Sequence, residues 1–258
     1  METHVALEKC EDIAYLTLSC DTADKPTTLD YVTLAELAQH LTALRNQREG
    51  LRAVVLQSDS RRYFCVGANI ESLKTLDAVT IEAWVARGHA VFNMIEALPL
   101  PVVARVQGYS LGGGLEMALA CDLIVASREA RFGQPEARLG VVAGWGGSWR
   151  LPRRVGLARA KEMFFTGRIL EAEEAHRIGL IDYVGDDDQV AHYLEELFDG
   201  IRQCSPLAVG QMKQLLHAGV AGTLASACHE EARASAACLS DPATRDRIAR
   251  YLERRTKA

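Results

Sequence analysis

Residues 102–116 constrain the fold of this chain most. Val102 to Val106 make an apolar run of strand length, delivered by Pro99 and Pro101. The segment Gly108-Tyr109-Ser110-Leu111-Gly112-Gly113-Gly114-Leu115-Glu116 follows, stripping side chains from three successive positions before a helix predicted over Gly112 to about Cys121. Strand, glycine turn and helix in that order call for an α/β architecture. The first amides of the helix lack intrahelical partners, and its dipole favours negative charge there. Glycines at such a turn let backbone approach a ligand atom with no Cβ between, and Glu116 lies about one turn past Gly113 on the same face. An ordinary strand-to-helix turn with a dipole-complementing glutamate uses the same residues, so this segment alone leaves two readings open.

A second segment, Arg62-Tyr63-Phe64-Cys65-Val66-Gly67-Ala68-Asn69-Ile70, also follows an apolar strand, Leu51 to Gln57, and also places a glycine before a small residue. Two backbone donors can therefore converge on one point, one from each loop.

The remaining pattern alternates short strands with helices and then turns helical. Val5 to Leu7 and Ile13 to Leu18 read as paired strands, Tyr31 to Leu44 as a helix, Val79 to Ala97 as an amphipathic helix, and Leu123 to Ala126 as a strand. Ala191 to Cys204, Pro206 to His217, Ala221 to Leu239 and Pro242 to Arg254 read as helices. No linker rich in Pro, Gly or Ser divides the chain, and no repeat of fixed period is present.

Composition bounds the function. At 258 residues and 48% hydrophobic, the chain can bury a substantial core. A net charge of −5 with interspersed signs gives no electrostatic footprint for nucleic acid or an anionic membrane, and no apolar run is long enough to span a bilayer. Glu2, Glu8 and Glu11 lie amid strand-like alternation with no basic stretch ahead of an apolar one, so a cytoplasmic location is expected. Seven cysteines, an odd number without a C-x-x-C pair, imply free thiols and small buried side chains. The seven histidines are scattered, and no metal site is expected.

Phe64-Cys65-Val66-Gly67-Ala68-Asn69-Ile70 resembles the F-x-x-G-A-D-I segment of the enoyl-CoA hydratase/isomerase (crotonase) family, and Gly108 to Glu116 is similar to its second signature. Phe132-Gly133-Gln134-Pro135-Glu136, Gly144-Trp145-Gly146-Gly147-Ser148-Trp149-Arg150-Leu151 and Phe165-Thr166-Gly167-Arg168 extend the resemblance nearly end to end. It implies a spiral of ββα turns, a catalytic core over residues 1–190, and a helical region over 191–258 that builds homotrimers or dimers of trimers. It also implies an acyl-CoA thioester as substrate, with no separate cofactor.

Carried across position by position, the main-chain N–H groups of Ala68 and Gly113 match the oxyanion hole for the thioester oxygen. Fixed donors of this kind contribute on the order of 2.7–4 kcal/mol each where charge develops on a carbonyl oxygen. Glu116 and Glu136 match the two hydratase glutamates, the first for water activation and the second for proton delivery at the α-carbon, as general acid–base catalysis of hydration requires. Ile70 and Trp145 fall in the acyl pocket, and Val66, Lys25 and Arg254 are candidates for contact with CoA.

Three positions depart from the family pattern or separate its members. Asn69 stands where Asp is usual. Trp145 replaces a small residue, either shaping the acyl pocket or filling core. Gly144 occupies the place of an Asp in dienoyl isomerases, which disfavours that activity. An enoyl-CoA hydratase is expected; the alternatives are a Δ3,Δ2-enoyl-CoA isomerase, a specialised acyl-CoA lyase or decarboxylase, and a non-catalytic acyl-CoA- or RNA-binding protein.

Overall fold

The structure is a computed structural model and describes residues 2–22, 25–219 and 222–256, with side chains through residue 253. Strands β1 (Thr3–Cys10) and β2 (Ile13–Cys20) form an antiparallel hairpin, turned at Glu11 with φ 53°. Helix α1 (Tyr31–Asn46) starts at Asp30, whose side chain accepts the Thr33 N–H, and buries Leu34, Leu37, Leu41 and Leu44 along one stripe.

The chain then repeats one unit: a strand for a large sheet, a strand for a small sheet, and a helical segment. The first turn of the spiral is β3 (Ala53–Ser58), β4 (Tyr63–Cys65), the short α2 (Ile70–Leu73) and α3 (Thr80–Glu96). The second is β5 (Val102–Val106), β6 (Tyr109–Leu111) and α4 (Gly113–Leu119). The third is β7 (Leu123–Ser127), β8 (Arg131–Gly133), a 3-10 turn (Glu136–Leu139) and α5 (Gly147–Thr166). Strand β9 (Ile169–Glu171) closes the small sheet antiparallel to β8, and after α6 (Ala172–Arg177) strand β10 (Tyr183–Gly185) adds to β7. The orders are β1-β2-β3-β5-β7-β10 and β4-β6-β8-β9, with β2 through β10 of the large sheet parallel. Helices α7 (Asp187–Gln203), α8 (Pro206–Gly219), α9 (Leu224–Ser240) and α10 (Pro242–Thr256) complete the chain.

Strand β3 shows why its sequence is apolar without alternation. Val54 and Leu56 belong to the main core with α1 and α3, while Ala53 and Val55 face the opposite way onto Val190, Leu194 and Phe198 of α7. A parallel strand covered on both faces needs apolar residues throughout. Burying each of those three α7 side chains contributes about 1.5–3 kcal/mol. Helix α8 is tied in differently: the Lys213 ammonium, almost wholly buried, donates to the Ile95 and Leu100 carbonyls and lies 2.7 Å from Asp122. Helices α9 and α10 bury little against the rest of the chain, and Leu224, Leu239, Ile248 and Tyr251 are exposed.

The cysteines correct one expectation. All seven are free, but only Cys65 and Cys121 are buried; Cys10, Cys204 and Cys228 are exposed, and Cys20 and Cys238 are half-buried. No described helix is long and apolar enough to cross a membrane.

Candidate active site

All three turns of the spiral meet at one cavity of about 370 Å³. Val66, Ala68 and Ile70 come from the first turn, Gly113 and Glu116 from the second, and Glu136 and Trp145 from the third.

The loop after β4 is fixed by a parallel bridge between Leu29 and Ala68. Leu29 N–H donates to Gly67 O, and Asn69 N–H donates to Leu29 O, both at 2.8 Å. Successive N–H groups of extended chain point to opposite sides, so the Ala68 N–H between them is turned away from the bridge. Among the described residues it has no hydrogen-bond partner, and neither has the N–H of Gly113, the first residue of α4. The two loops are in contact, since a Cβ on Gly67 would lie 2.8 Å from the Gly113 nitrogen. Asn69 caps α2, its side-chain oxygen accepting from Glu71 N–H and Ser72 N–H.

The glycine run serves packing as well as lining the cavity, where Gly112 and Gly113 both lie. A Cβ on Gly113 would meet the Trp145 ring at 2.5 Å, and one on Gly114 would meet the Cys65 carbonyl oxygen at 2.0 Å. The missing side chain of Gly112 likewise leaves room for Glu136, whose Oε1 is 3.2 Å from where its Cβ would be.

Glu116 is 1% exposed. Its Oε1 accepts the N–H of Trp145 at 2.8 Å and of Gly147 at 2.7 Å. Burial pushes its pKa upward, and those two amides, with the Arg150 charge, oppose the shift. Glu136 sits at the head of the 3-10 turn, pushed up to about 7, first by burial and further by the Glu116 charge. The Gln134 amide, turned with its nitrogen toward Glu136, donates to Oε1 at 2.7 Å and Oε2 at 3.0 Å. The cavity thus holds a carboxyl poised to give up a proton near neutrality beside one held by two amides.

Trp145 lines the cavity and is also core. It is 3% exposed and packs against Trp84 and Phe92, with ring centroids 5.1 and 5.6 Å away. Gly88 of α3 makes the space, for a Cβ there would lie 2.1 Å from the indole Nε1. Trp149, one turn further on, is exposed, lies outside the lining and is covered by the Arg153 guanidinium. Lys25 is exposed, two residues before Thr27, whose carbonyl accepts the N–H of cavity-lining Val66. Arg254 belongs to α10, and its side chain lies outside the described residues.

Sequence reasoning gave no role to Gln134, Trp84, Gly88 or Arg150. Trp84 and Gly88 were within reach, because with Val91, Phe92 and Ile95 they form the buried stripe of α3 at helical spacing. Gln134 and Arg150 lay inside recognised segments, but their partners are fixed only by the fold. Of possible metal ligands, Glu2, His4 and Asp21 gather at the surface, away from the cavity lining.

The model of the enoyl-CoA hydratase/isomerase family matches residues 8–258. A short-chain-enoyl-CoA hydratase of Clostridium acetobutylicum is 34% identical over 252 residues, covering 98% of this chain and 95% of that protein. A crotonyl-CoA hydratase of Syntrophomonas wolfei is 33% identical over 252 residues, covering 98% and 96%. Among solved structures, an enoyl-CoA hydratase from Bacillus anthracis superposes with a TM-score of 0.88 at 28% identity, covering 97% of this chain and 96% of that one.

Proposed function

Since the chain belongs to the enoyl-CoA hydratase/isomerase family, we propose that it adds water reversibly across the 2,3 double bond of a 2-enoyl-CoA thioester. The observation that carries this is the pairing, in one cavity, of two backbone N–H groups unpartnered among the described residues with two carboxyl groups in different settings, Glu116 on the Trp145 and Gly147 amides and Glu136 on the Gln134 amide. The thioester oxygen accepts from Ala68 N–H and Gly113 N–H. Glu116, ionised, takes a proton from water as its oxygen bonds to C3. Glu136, protonated, gives its proton to C2, and the charge that collected on the thioester oxygen returns to the carbonyl. The two acids exchange protonation states over the cycle, and return of a proton from Glu116 to Glu136 through solvent restores the site.

Trp145 and Trp84 narrow the apolar part of the cavity, which favours a short acyl group, in keeping with the short-chain and crotonyl names of the two relatives. The exposed apolar residues of α9 and α10 suit burial between copies in a trimer or a dimer of trimers, and the free thiols suit a reducing, cytoplasmic setting.

The test follows loss of the conjugated enoyl-thioester absorbance across short, long, branched and aryl 2-enoyl-CoA substrates, with product masses. A gain of one water, lost in Glu116→Gln, is the expected result. Double-bond migration without a mass change would replace the hydratase assignment by isomerisation on one acid, and tight acyl-CoA binding without turnover would replace it by a binding role.

A further inference from the structure

Arg150 is a buried cation outside the cavity lining, and its contacts converge on the backbone that holds Glu116. It is 7% exposed. Its Nε and Nη2 donate to Glu96 Oε1 and Oε2 at 2.9 and 3.0 Å, and Nη2 also donates to Asn93 Oδ1 at 2.8 Å. Its Nη1 donates to the Trp145 carbonyl at 2.8 Å. That carbonyl belongs to the peptide lying between the two amides that bind Glu116.

Gly146 carries φ 101° and ψ 8°, so the chain from Trp145 to Gly147 turns its flanking N–H groups to one side and the intervening carbonyl to the other. Such a concavity of backbone donors receives an anion. Here the anion is the protein's own carboxylate. The left-handed conformation favours glycine, and space demands it as well, because a Cβ on Gly146 would lie 2.1 Å from Arg150 Nη1.

We propose that Arg150, anchored to α3 by Glu96 and Asn93, is a positioning residue that holds the Trp145 carbonyl and so fixes the two amides that aim the Glu116 carboxyl. This rests on the hydratase function proposed above. The charged or titratable groups around Glu116 are Arg150 from α5, Glu136 from the 3-10 turn, Glu96 behind Arg150, and His89 of α3, whose own pKa is pushed down by burial and by Arg150. Removing Arg150 takes away a cation and loosens two amides that favour the carboxylate. The Glu116 pKa then rises, and a reaction that needs Glu116 ionised loses rate at the acid end of its pH profile. Lysine is a poor substitute, because one ammonium cannot span Glu96, Asn93 and the Trp145 carbonyl in the guanidinium geometry.

The test uses the full chain with Arg150→Lys, Arg150→Gln and Glu96→Gln, and Arg153→Ala as an exposed control on the same helix. For the Arg150 variants, kcat is expected to fall about 10²-fold with KM little changed, the acid limb to move to higher pH, and Arg153→Ala to match the parent. The Glu116 carboxyl, followed by ¹³C NMR of side-chain-labelled glutamate and assigned by its loss in Glu116→Gln, should titrate at higher pH in the Arg150 variants. Glu96→Gln, which keeps the shape at Glu96, should shift it the same way by less and stands in if the Arg150 variants do not fold. Folded variants whose Glu116 titration and pH profile match the parent, with only thermal stability lowered, would overturn the proposal. The carboxyl titration needs no turnover, so a parent that hydrates nothing while Arg150→Gln still moves the Glu116 signal would sink the hydratase function and leave the positioning role standing.

Discussion

Glu136 is the residue whose environment makes the sharpest demand on experiment. Its carboxyl, pushed up to about 7 by burial and by Glu116, is mostly protonated just below neutrality, the form that can deliver a proton. The alkaline limb of kcat/KM should therefore fall near pH 7 and belong to the pair of acids, not to either one alone. Stability gives an independent check. A carboxyl whose pKa is higher folded than unfolded binds its proton more tightly in the native state, so its contribution falls as pH rises from about 4.5 to about 7. Glu136→Gln should thus melt with the parent near pH 4.5 and above it near pH 8, by roughly 2–4 °C for each kcal/mol relieved. Equal melting at both pH values would show that the carboxyl is not held up by burial. At this scale the sequence located both glutamates through their segments, because motif spacing survives without coordinates. It did not show the packing purpose of Gly113 and Gly114, since what stands against a missing Cβ depends on residues far along the chain, Trp145 for one and the Cys65 carbonyl for the other.

The elements were legible where burial is regular and obscure where it is brief. Helix α3 was expected over Val79 to Ala97 and runs Thr80–Glu96, and the large-sheet strands follow the apolar runs to within a few residues. Helix α7 begins earlier than its apolar stripe suggests, because the Asp186–Gln189 capping box starts it ahead of Val190. The small-sheet strands have three residues each, too few to show a period of two, and their pairing depends on loops already recognised for other reasons. The contact of α3 with Trp145 supplies a prediction for packing and specificity together. Gly88→Ala drives a methyl to 2.1 Å from the indole nitrogen and should cost about 1–3 kcal/mol. Trp145→Ala should cost about 3–5 kcal/mol while shifting kcat/KM toward longer 2-enoyl chains. Calorimetry and the substrate panel read the two effects separately, and an unchanged chain-length preference in a folded Trp145→Ala protein would confine the indole to a packing role.

At the scale of the whole molecule, the pieces are joined by a few buried polar ties as well as by apolar area. Lys213 links α8 to the end of α3 and the loop after it through the Ile95 and Leu100 carbonyls, and to Asp122 through an ion pair. Lys213→Ala leaves Asp122 with a weakened set of partners and two carbonyls undonated, so unfolding in denaturant should show a loss of about 3–5 kcal/mol. A loss under 1 kcal/mol would mean that water replaces the ammonium at no cost. The sequence reported a helical region over 191–258 but not this tie, because a lone lysine in a helix reads as solvated until the fold closes over it. The spiral has a further consequence, of a kind usually discussed for interchangeable parts. The two N–H groups proposed to receive a thioester oxygen come from its first and second turns, whereas Glu136 and the backbone cradle of Glu116 come from its third. On the proposed roles, residues 134–147 can consequently be rewritten, changing which bond is made or broken, while the pair of amides that would hold an acyl thioester is left untouched in the turns before them.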